Sequence, residues 1–269
     1  NGGRRFDFIR RANFWKWYSD YFPAKLIKES DLDPSKTYVF GYHPHGVISV
    51  GAWIAFATEA TGHSELFPGI TCRVLTLAGN FNIPIYRDYL MAQGLASVSR
   101  QSIMNILRKG PGNAVMIVIG GAGESLSARP GINDLILKKR LGFIRIAFKS
   151  GASLCPVFSF GENDIWDQAN NPKGSKIWKF QKSMQSLSGW TLPLFHGRGL
   201  FNYDWGVLPH RRPITTIVGT PIDVVQNDNP TDEEVLEVQK KYIAGLYEIW
   251  NKYKDIYAKD RKRELTIVE

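Results

Sequence analysis

Residues 37–58 read TYVFGYHPHGVISVGAWIAFAT and contain no Lys, Arg, Asp or Glu. An uncharged stretch of this length could cross a bilayer. A membrane span is excluded here because helix breakers and two imidazoles, which are costly at bilayer depth, occupy its middle: Gly41, His43, Pro44, His45 and Gly46. The stretch instead predicts a strand over 38–42, a tight turn over 43–46 and a buried helix over 47–58.

Outward from this stretch, apolar runs alternate with helical patterns. The run NAVMIVI at 113–119 is typical of a strand buried on both faces. Further strands are predicted over 73–78, 153–160 and 214–218, and helices over 84–94, 102–109, 135–150 and 231–257. This alternation predicts an α/β fold whose mostly parallel central sheet is flanked by helices. No repeat or Gly/Ser linker divides the chain, so residues 31–269 are assigned to one catalytic domain.

Composition narrows the class of protein. The chain has 269 residues, a net charge of 34 − 25 = +9 and 13% aromatic residues. Disorder is excluded by the aromatic content, and a disulfide scaffold by the presence of only Cys72 and Cys155, which are expected to be core thiols. No zinc-ligand spacing is present, so no metal is predicted. The positive charge favours anionic partners, but dispersed cations and the absence of a recognised motif argue against nucleic acid.

The N-terminal segment, residues 1–30, mixes aromatic residues with cations. Over 6–28 the apolar residues recur at roughly helical spacing: Phe6, Ile9, Phe14, Trp17, Tyr21 and Phe22. The segment is either an amphipathic helix at a membrane interface or a helix packed on its own domain, and its composition favours the interface. The chain begins at Asn1 without Met, and we expect it to be truncated at its N terminus.

The turn at 43–46 is the strongest candidate for chemistry. An imidazole titrates near neutrality and can remove a proton from a hydroxyl. Pro44 stiffens the turn, Gly46 lets a substrate approach the backbone, and amides at the start of the next helix can stabilise an oxyanion. The alternative is two histidines that merely satisfy hydrogen bonds in a turn. The strand–turn–helix context favours the functional interpretation.

Three further segments could contribute to the same site. IGGAGES at 119–125 follows a buried strand, where α/β proteins bind ligands, and it supplies Gly120, Gly121 and Glu124. Cations at Arg100 and in KKRLGF at 138–143 could hold phosphate groups, although solvated helix faces would look the same. The segments 161–189 and 192–212 are long and irregular, which is typical of functional loops or lids. Within the second, RGLFNYDWG at 198–206 suggests an apolar groove or a membrane contact.

Taken in order, these segments resemble the type-2 diacylglycerol acyltransferase family, whose members include monoacylglycerol and wax-ester-forming acyltransferases. The matching stretches are YVFGYHPHGVISVGA, IPIYRDYL, GLASVSR, IGGAGESL, LKKRLGFIRIAFKSGA, CPVFSFGE and RGLFNYDWGVLP. They extend over roughly residues 14–222, and HPHG combined with RGLFNYD at this separation is specific. The pattern is similar to that of fungal members. The resemblance implies the fold of the glycerophosphate-type acyltransferases.

That wider group places Asp five positions after its histidine, and this chain departs from the pattern. Ile48 and Val50 stand at the corresponding positions. The carboxylate that would orient the histidine must therefore come from elsewhere in the chain. Glu124 is the first candidate and Glu162 the second.

The resemblance also implies a mechanism. His45 would take the proton of the diacylglycerol hydroxyl, which attacks the acyl-CoA thioester directly and yields triacylglycerol. His45 is preferred to His43 because relatives vary the first position, and His43 or Glu124 would hold the base in its working tautomer.

The remaining assignments also follow from the resemblance. Amides near Gly46 or Gly120 and Gly121 would stabilise the oxyanion. Arg100, Lys139 and Arg140 would bind the CoA phosphates. No cofactor is implied, because acyl-CoA is a co-substrate. Membrane helices ahead of Asn1 would embed the protein in the endoplasmic reticulum membrane with a cytosolic active site, and the lipid droplet surface is a second expected location. The oligomeric state is left open.

Three alternatives remain. The acceptor could be a monoacylglycerol or a long-chain alcohol, which the sequence does not distinguish. A serine hydrolase would need a Gly-x-Ser-x-Gly elbow, and the chain has none; Ser49 would lie inside the predicted helix. A non-catalytic lipid-droplet or membrane-binding protein would use the basic aromatic N terminus without the histidines.

Overall fold

The computed structural model describes residues 4–169, 171, 174–188, 191 and 193–268. Its strands are, in chain order, β1 (Lys25–Lys28), β2 (Tyr38–His43), β3 (Thr71–Thr76), β4 (Ala96–Ser97), β5 (Asn113–Val118), β6 (Asp134–Ile136), β7 (Ser153–Phe160), β8 (Asp167–Gln168), β9 (Phe195–His196), β10 (Thr215–Val218) and β11 (Thr266–Val268). Seven of them form one central sheet in the order β1-β10-β7-β2-β5-β3-β4. All neighbours are parallel except β10 and β7. The predicted mostly parallel α/β sheet is therefore confirmed.

Helices cover both faces of this sheet. They are α1 (Asp7–Arg10), α2 (Asn13–Tyr21), α3 (Val50–Ala52), α4 (His63–Leu66), α5 (Tyr86–Ala92), α6 (Arg100–Leu107), α7 (Gly121–Ser125), α8 (Gly142–Ser150), α9 (Lys176–Ser188) and α10 (Asp232–Tyr257). A π-helical turn, Trp53–Ala57, continues α3, and 3₁₀ turns cover Ala78–Asn82 and Leu200–Asn202. In the described part of the chain, no helix is both long and apolar enough to span a bilayer.

Strand β2 lies in the middle of the sheet and is buried along its whole length. Its side chains alternate between two apolar clusters, as the period of a strand requires. Val39 packs with α6, α8 and α10, whereas Tyr38, Phe40 and Tyr42 pack on the opposite face. An uncharged stretch thus becomes a central strand because both of its faces are covered.

Several predicted elements agree closely with the structure. Strand β7 has the predicted limits, and α10 begins one residue after the predicted start. Thr231 caps α10 by accepting from the Glu234 amide, while the Glu234 side chain accepts from the Thr231 amide. This capping box fixes the start of a long helix from local sequence alone.

The N-terminal segment differs from its prediction as one helix over 6–28. It forms α1 and α2, and then β1, which pairs with β10 at the edge of the central sheet. The helix ends before Pro23, because proline cannot continue it, and residues 25–28 (KLIK) then pair with β10. Arg10 is buried and donates to the carbonyls of Phe56 and Ala57, so the segment packs on the domain. Residues 1–3 of the assigned segment 1–30 lie outside the described residues.

Two other helix predictions were wrong in extent. The predicted helix over 135–150 begins only at Gly142, because residues 134–136 form β6 in parallel with β11. The predicted helix over 47–58 begins at Val50, because residues 47–49 still belong to the turn. Ser49 precedes that helix at a φ of 58° and donates to the carbonyl of His45.

The two segments predicted to be irregular contain regular elements, and for 161–189 the prediction was wrong because α9 is a helix of 13 residues. The elements are β8, α9, β9 and the 3₁₀ turn Leu200–Asn202. Gly189 and Leu192, at the limits of those segments, lie outside the described residues. Trp166 and Phe195 lie with ring centroids 5.5 Å apart, and both pack in an apolar cluster with Phe22 and Ile214, which anchors this region to the domain.

Candidate active site

The predicted turn lies at the carboxyl edge of the sheet, where three neighbouring parallel strands end. Strand β2 leads into His43, β5 leads into Gly120 and Gly121, and β7 leads into Gly161 and Glu162. Ligands in α/β folds bind at this edge because the loops that follow parallel strands meet there. The fold thus brings together the histidine turn, the glycine-rich segment and both candidate carboxylates.

His45 has the geometry of a general base. Its Nδ1 lies 3.0 Å from the carbonyl oxygen of Gly46. A carbonyl can only accept, so this contact assigns the ring proton to Nδ1 and leaves the lone pair on Nε2. The ring is half-buried, and burial lowers the pKa of His45 below its ordinary value. The imidazole is therefore neutral at physiological pH and able to accept a proton.

Glu124 contacts the backbone of His45. One carboxylate oxygen accepts from the His45 amide at 2.6 Å, and the other accepts from the Ile136 amide at 2.9 Å. Burial raises the pKa of Glu124 to about 7, against the lowering effect of these two amides. Glu124 thus positions His45 through its main chain, while the Gly46 carbonyl contacts the ring at Nδ1. Neither Glu124 nor His43 makes that ring contact.

Glu162, the second candidate carboxylate, holds the other end of the same turn. It accepts from the amides of Val50 and Gly51 at 2.8 Å each and from the Tyr42 hydroxyl at 2.6 Å. Burial raises the pKa of Glu162 to about 7. The two carboxylates therefore clamp the histidine turn from both ends.

Glycines make these close approaches possible. A Cβ on Gly46, whose φ is 61°, would lie 2.7 Å from Cγ of Glu162, and a Cβ on Gly120 would lie 2.1 Å from Oε2 of Glu124. The group that approaches Gly46 in the folded chain is thus a carboxylate side chain. Gly46, Gly120 and Gly121 therefore lie at the site. Their amides were predicted from the sequence to stabilise an oxyanion.

His43 is fully buried and is held by a residue that sequence reasoning missed. Tyr242 of α10 donates to the carbonyl of Gly41 at 2.9 Å, so its oxygen accepts from Nε2 of His43 at 3.1 Å. Burial lowers the pKa of His43 to about 3, which keeps the ring neutral. Its Nδ1 has no hydrogen-bond partner among the described residues. The half-buried His45 and the fully buried His43 therefore have different environments and different tautomers.

The sequence did contain a signal for this contact. Gly41 interrupts an apolar strand, and a glycine within a strand often marks a close approach by another group. A Cβ at Gly41 would lie 2.0 Å from the Tyr242 hydroxyl oxygen. What the sequence does not show is that the approaching hydroxyl belongs to Tyr242, which lies 201 residues further along the chain.

The three predicted phosphate-binding cations separate in the fold. Arg140 lies at the site and donates to the Gly120 carbonyl at 3.4 Å. Lys139 is exposed on the same segment. Arg100, at the start of α6, lines a separate groove of about 460 Å³ together with Arg108 and Lys149. The structure thus brings Arg140 to the histidine turn and places Arg100 in another groove.

Apolar groups surround the turn. Val47 and Val50 pack in one cluster with Phe22, Trp166 and Ile214. Ile48, three residues after His45, is 63% exposed. Cys72 and Cys155 are free and buried, as expected of core thiols. Within the described residues, no three His, Cys, Asp or Glu side chains gather as a metal site would require.

This arrangement can remove a proton from an apolar acceptor. It offers a neutral imidazole whose Nε2 carries a lone pair, a turn clamped by two carboxylates, and a cation beside the glycine-rich segment. Such a base contributes about 10²–10⁴-fold to proton-transfer chemistry. A preorganised turn adds to this because the base needs no reorganisation during the reaction.

Comparison with known proteins adds independent findings. The family model described as "Diacylglycerol acyltransferase" matches residues 1–268. Diacylglycerol O-acyltransferase 2B of Umbelopsis ramanniana is 56% identical over 100% of this chain and 78% of that protein. 2-acylglycerol O-acyltransferase 1 of Bos taurus is 47% identical over 95% of this chain and 77% of that protein. Among solved structures, the 1-acyl-sn-glycerophosphate acyltransferase PlsC of Thermotoga maritima matches with a TM-score of 0.49 and 14% identity, over 90% of this chain and 78% of that one.

Proposed function

The chain belongs to the diacylglycerol acyltransferase family, and we propose that its histidine turn transfers a fatty acyl group from acyl-CoA to the free hydroxyl of diacylglycerol, making triacylglycerol. The relatives named diacylglycerol O-acyltransferase support this acceptor. The observation that carries the proposed role of His45 is its Nδ1 contact with the Gly46 carbonyl, which leaves Nε2 free to act as the base.

The reaction proceeds by direct transfer. Nε2 of His45 takes the hydroxyl proton while the acceptor oxygen attacks the thioester carbonyl carbon. The carbonyl oxygen becomes an oxyanion, for which the amides of Gly46, Gly120 and Gly121 are the proposed donors. When the tetrahedral intermediate collapses, the C–S bond breaks and CoA leaves as a thiolate, which recovers the proton from His45. No cofactor takes part, since acyl-CoA is consumed as a co-substrate.

The cations have separate parts in this proposal. Arg140 is the proposed partner of a CoA phosphate at the site, and its hydrogen bond to the Gly120 carbonyl supports this role. Lys139 extends this positive charge along the exposed side of the segment. Arg100 lines a separate groove, so it has no assigned contact with CoA at the histidine turn in this proposal.

The proposed location is the endoplasmic reticulum membrane with the active site in the cytosol, and the lipid droplet surface. Two features support a lipid surface: the +9 charge of the chain and the exposed aromatic side chains of the N-terminal segment. Those side chains are Phe6, Phe8, Phe14 and Trp17. Both acceptor and product are lipids, so a lipid surface is where substrate and enzyme meet.

A monoacylglycerol is the second candidate acceptor. The relative named 2-acylglycerol O-acyltransferase favours it, because that protein is 47% identical to this chain. Both acceptors present a free hydroxyl to the same base, so the two candidates differ in the shape of the acceptor pocket and share one mechanism.

The test is incorporation of labelled oleoyl-CoA into neutral lipid, with diacylglycerol, monoacylglycerol and a fatty alcohol offered separately. We expect triacylglycerol from the parent, none from His45→Ala and normal turnover from His196→Ala, a partly buried histidine outside the turn. Turnover retained in His45→Ala would refute its role as the base. A folded parent that acylates none of the three acceptors would favour a non-catalytic membrane-binding protein.

A further inference from the structure

Two bulky apolar residues combine backbone strain with extreme exposure. Ile85 has a φ of 66° and Phe201 a φ of 54°. Bulky and β-branched residues rarely adopt positive φ, because the side chain then collides with the backbone. The two side chains are nevertheless 83% and 91% exposed. The Tyr86 amide donates to the Pro84 carbonyl in a tight turn at Ile85. Packing within the chain does not explain why a bulky apolar side chain occupies either strained, exposed position, and strained residues concentrate at sites with a function.

The segments that carry these residues are linked through ring contacts. Ile85 immediately precedes α5, whose Tyr89 stacks on Trp53 with centroids 6.1 Å apart. Trp53 also contacts Trp15 of α2, at 5.8 Å. A second set of contacts starts from the other end of α2. The Tyr21 hydroxyl donates to the Pro209 carbonyl, and the Arg198 guanidinium lies over the Tyr21 ring at 6.0 Å. Helix α2 therefore connects α5 with the segment that carries Phe201.

The histidine turn belongs to the same neighbourhood. Trp53 lies in the helical segment that continues from the turn, and Val47 of the turn packs with Phe22 at the end of α2. We call the exposed side chains of these linked segments the apolar rim; they are Phe14, Trp17, Ile48, Ile85, Phe201 and Trp205. Ile48, which belongs to this rim, lies three residues after His45 in the chain.

The composition of the rim fits a lipid surface. It combines Trp and Phe with branched aliphatic side chains, as proteins at membrane interfaces do. Exposed cations of the same N-terminal segment, Arg11 and Lys16, complement anionic headgroups. A diacylglycerol acceptor is itself dissolved in lipid, so a rim seated in that phase would deliver it to His45 without passage through water.

We propose that Ile85 and Phe201 are anchors that insert into a lipid surface and seat the apolar rim there, so that the active site opens onto the lipid that supplies its acceptor. The orientation of the active site rests on the proposed function, whereas the insertion of the anchors does not. In this arrangement the positive φ of Ile85 and Phe201 holds each side chain away from the domain and toward the lipid.

The test replaces each anchor by Asn in the full chain. Asn is among the residues that best tolerate positive φ, so Ile85→Asn and Phe201→Asn remove the apolar group without adding strain. Val225→Asn is the matched control, because Val225 is 86% exposed and lies in the stretch between β10 and α10, outside the rim. Sedimentation with vesicles of phosphatidylcholine and phosphatidylserine measures binding.

We expect each anchor variant to bind vesicles about tenfold more weakly, the order expected for one buried apolar side chain. The control should bind as the parent does. For diacylglycerol presented in vesicles the KM should rise in both anchor variants, whereas turnover of a water-dispersed short-chain diacylglycerol should stay unchanged. Vesicle binding that is the same in the anchor and control variants would overturn the proposal and favour a protein partner for the rim.

A second measurement keeps the test independent of variant stability and of catalysis. Because Cys72 and Cys155 are buried, Phe201→Cys and Val225→Cys introduce single accessible thiols for a polarity-sensitive fluorophore. A blue shift on adding vesicles at position 201 but not at 225 would support insertion, and equal spectra would refute it. A parent that binds vesicles through residue 201 but acylates no acceptor would refute the proposed function and leave the anchors standing.

Discussion

Replacing Tyr242 by Phe should destabilise the fold through the buried imidazole of His43. The substitution deletes one oxygen, which donates to the Gly41 carbonyl and accepts from Nε2 of His43. The His43 N–H is then buried without a hydrogen bond, at a cost of about 1–3 kcal/mol. The Gly41 carbonyl keeps its place in the ladder with β7, so the loss of its second hydrogen bond costs about 1 kcal/mol. Removing a buried hydroxyl returns roughly 1 kcal/mol of desolvation. The net loss is about 2 kcal/mol of unfolding free energy, which for a chain of this size lowers the melting temperature by roughly 4–8 °C.

The assay is chemical denaturation, with Tyr247→Phe as the control. Tyr247 lies on the same helix, is partly buried, and makes no side-chain hydrogen bond within the described residues. Its loss should stay below about 0.5 kcal/mol. A double variant with His43→Ala should lose less than the sum of the two single losses, because both changes break the same contact. Equal losses in Tyr242→Phe and Tyr247→Phe, or strict additivity with His43→Ala, would refute the reasoning.

Three further predictions concern the carboxylates and the N-terminal segment. Glu124→Gln should lower kcat at least tenfold, because a glutamine side chain has one acceptor oxygen, whereas Glu124 accepts from two backbone N–H groups. A near-normal kcat would shift the positioning role to Glu162. Because burial raises the pKa of both carboxyls from 4.5 to about 7, the folded state binds more protons than the unfolded state between those values. The unfolding free energy should therefore fall as pH rises from 4.5 to 7, by at most about 1.4 kcal/mol per pH unit for each group. In Glu162→Gln, the unfolding free energy measured by chemical denaturation should fall less steeply with pH over this range. An unchanged dependence on pH would contradict the prediction. Arg10→Met should cost about 3–5 kcal/mol, because it removes the cation that lies 3.1 Å from Glu59 and leaves only Arg5, at 3.6 Å, to pair with this carboxylate. The exposed neighbour Arg11→Met should be neutral, and similar melting temperatures for the two variants would be inconsistent with a packed segment.

Local sequence predicted much of the fold because local patterns decide it. The continuous apolar runs of β5 and β7 require burial on both faces, and this alone indicates central parallel strands. The predicted helix over 135–150 was wrong at its start for the converse reason. Residues 134–136 become a strand only because β11 pairs with them, and no pattern within 135–150 shows that partner.

The candidate site was likewise predicted only in part from the sequence. The histidines, the glycines and Glu124 stand out in the sequence because each residue type suits one chemical task. The structure decided what each of them contacts: Glu124 holds the amide of His45, Glu162 clamps the far end of the turn, and Arg140 rather than Arg100 lies at the site.

By itself, then, the sequence determined the α/β class, the turn proposed to bear the chemistry and the family to which the chain belongs. Only the tertiary structure decided that Tyr242 holds His43 and that β1 closes one edge of the central sheet. The physical reason is the range of the interactions. Burial patterns and helix caps act over a few residues and are written in the local order of side chains. A hydrogen bond between residues 199 positions apart depends on the path of the whole chain.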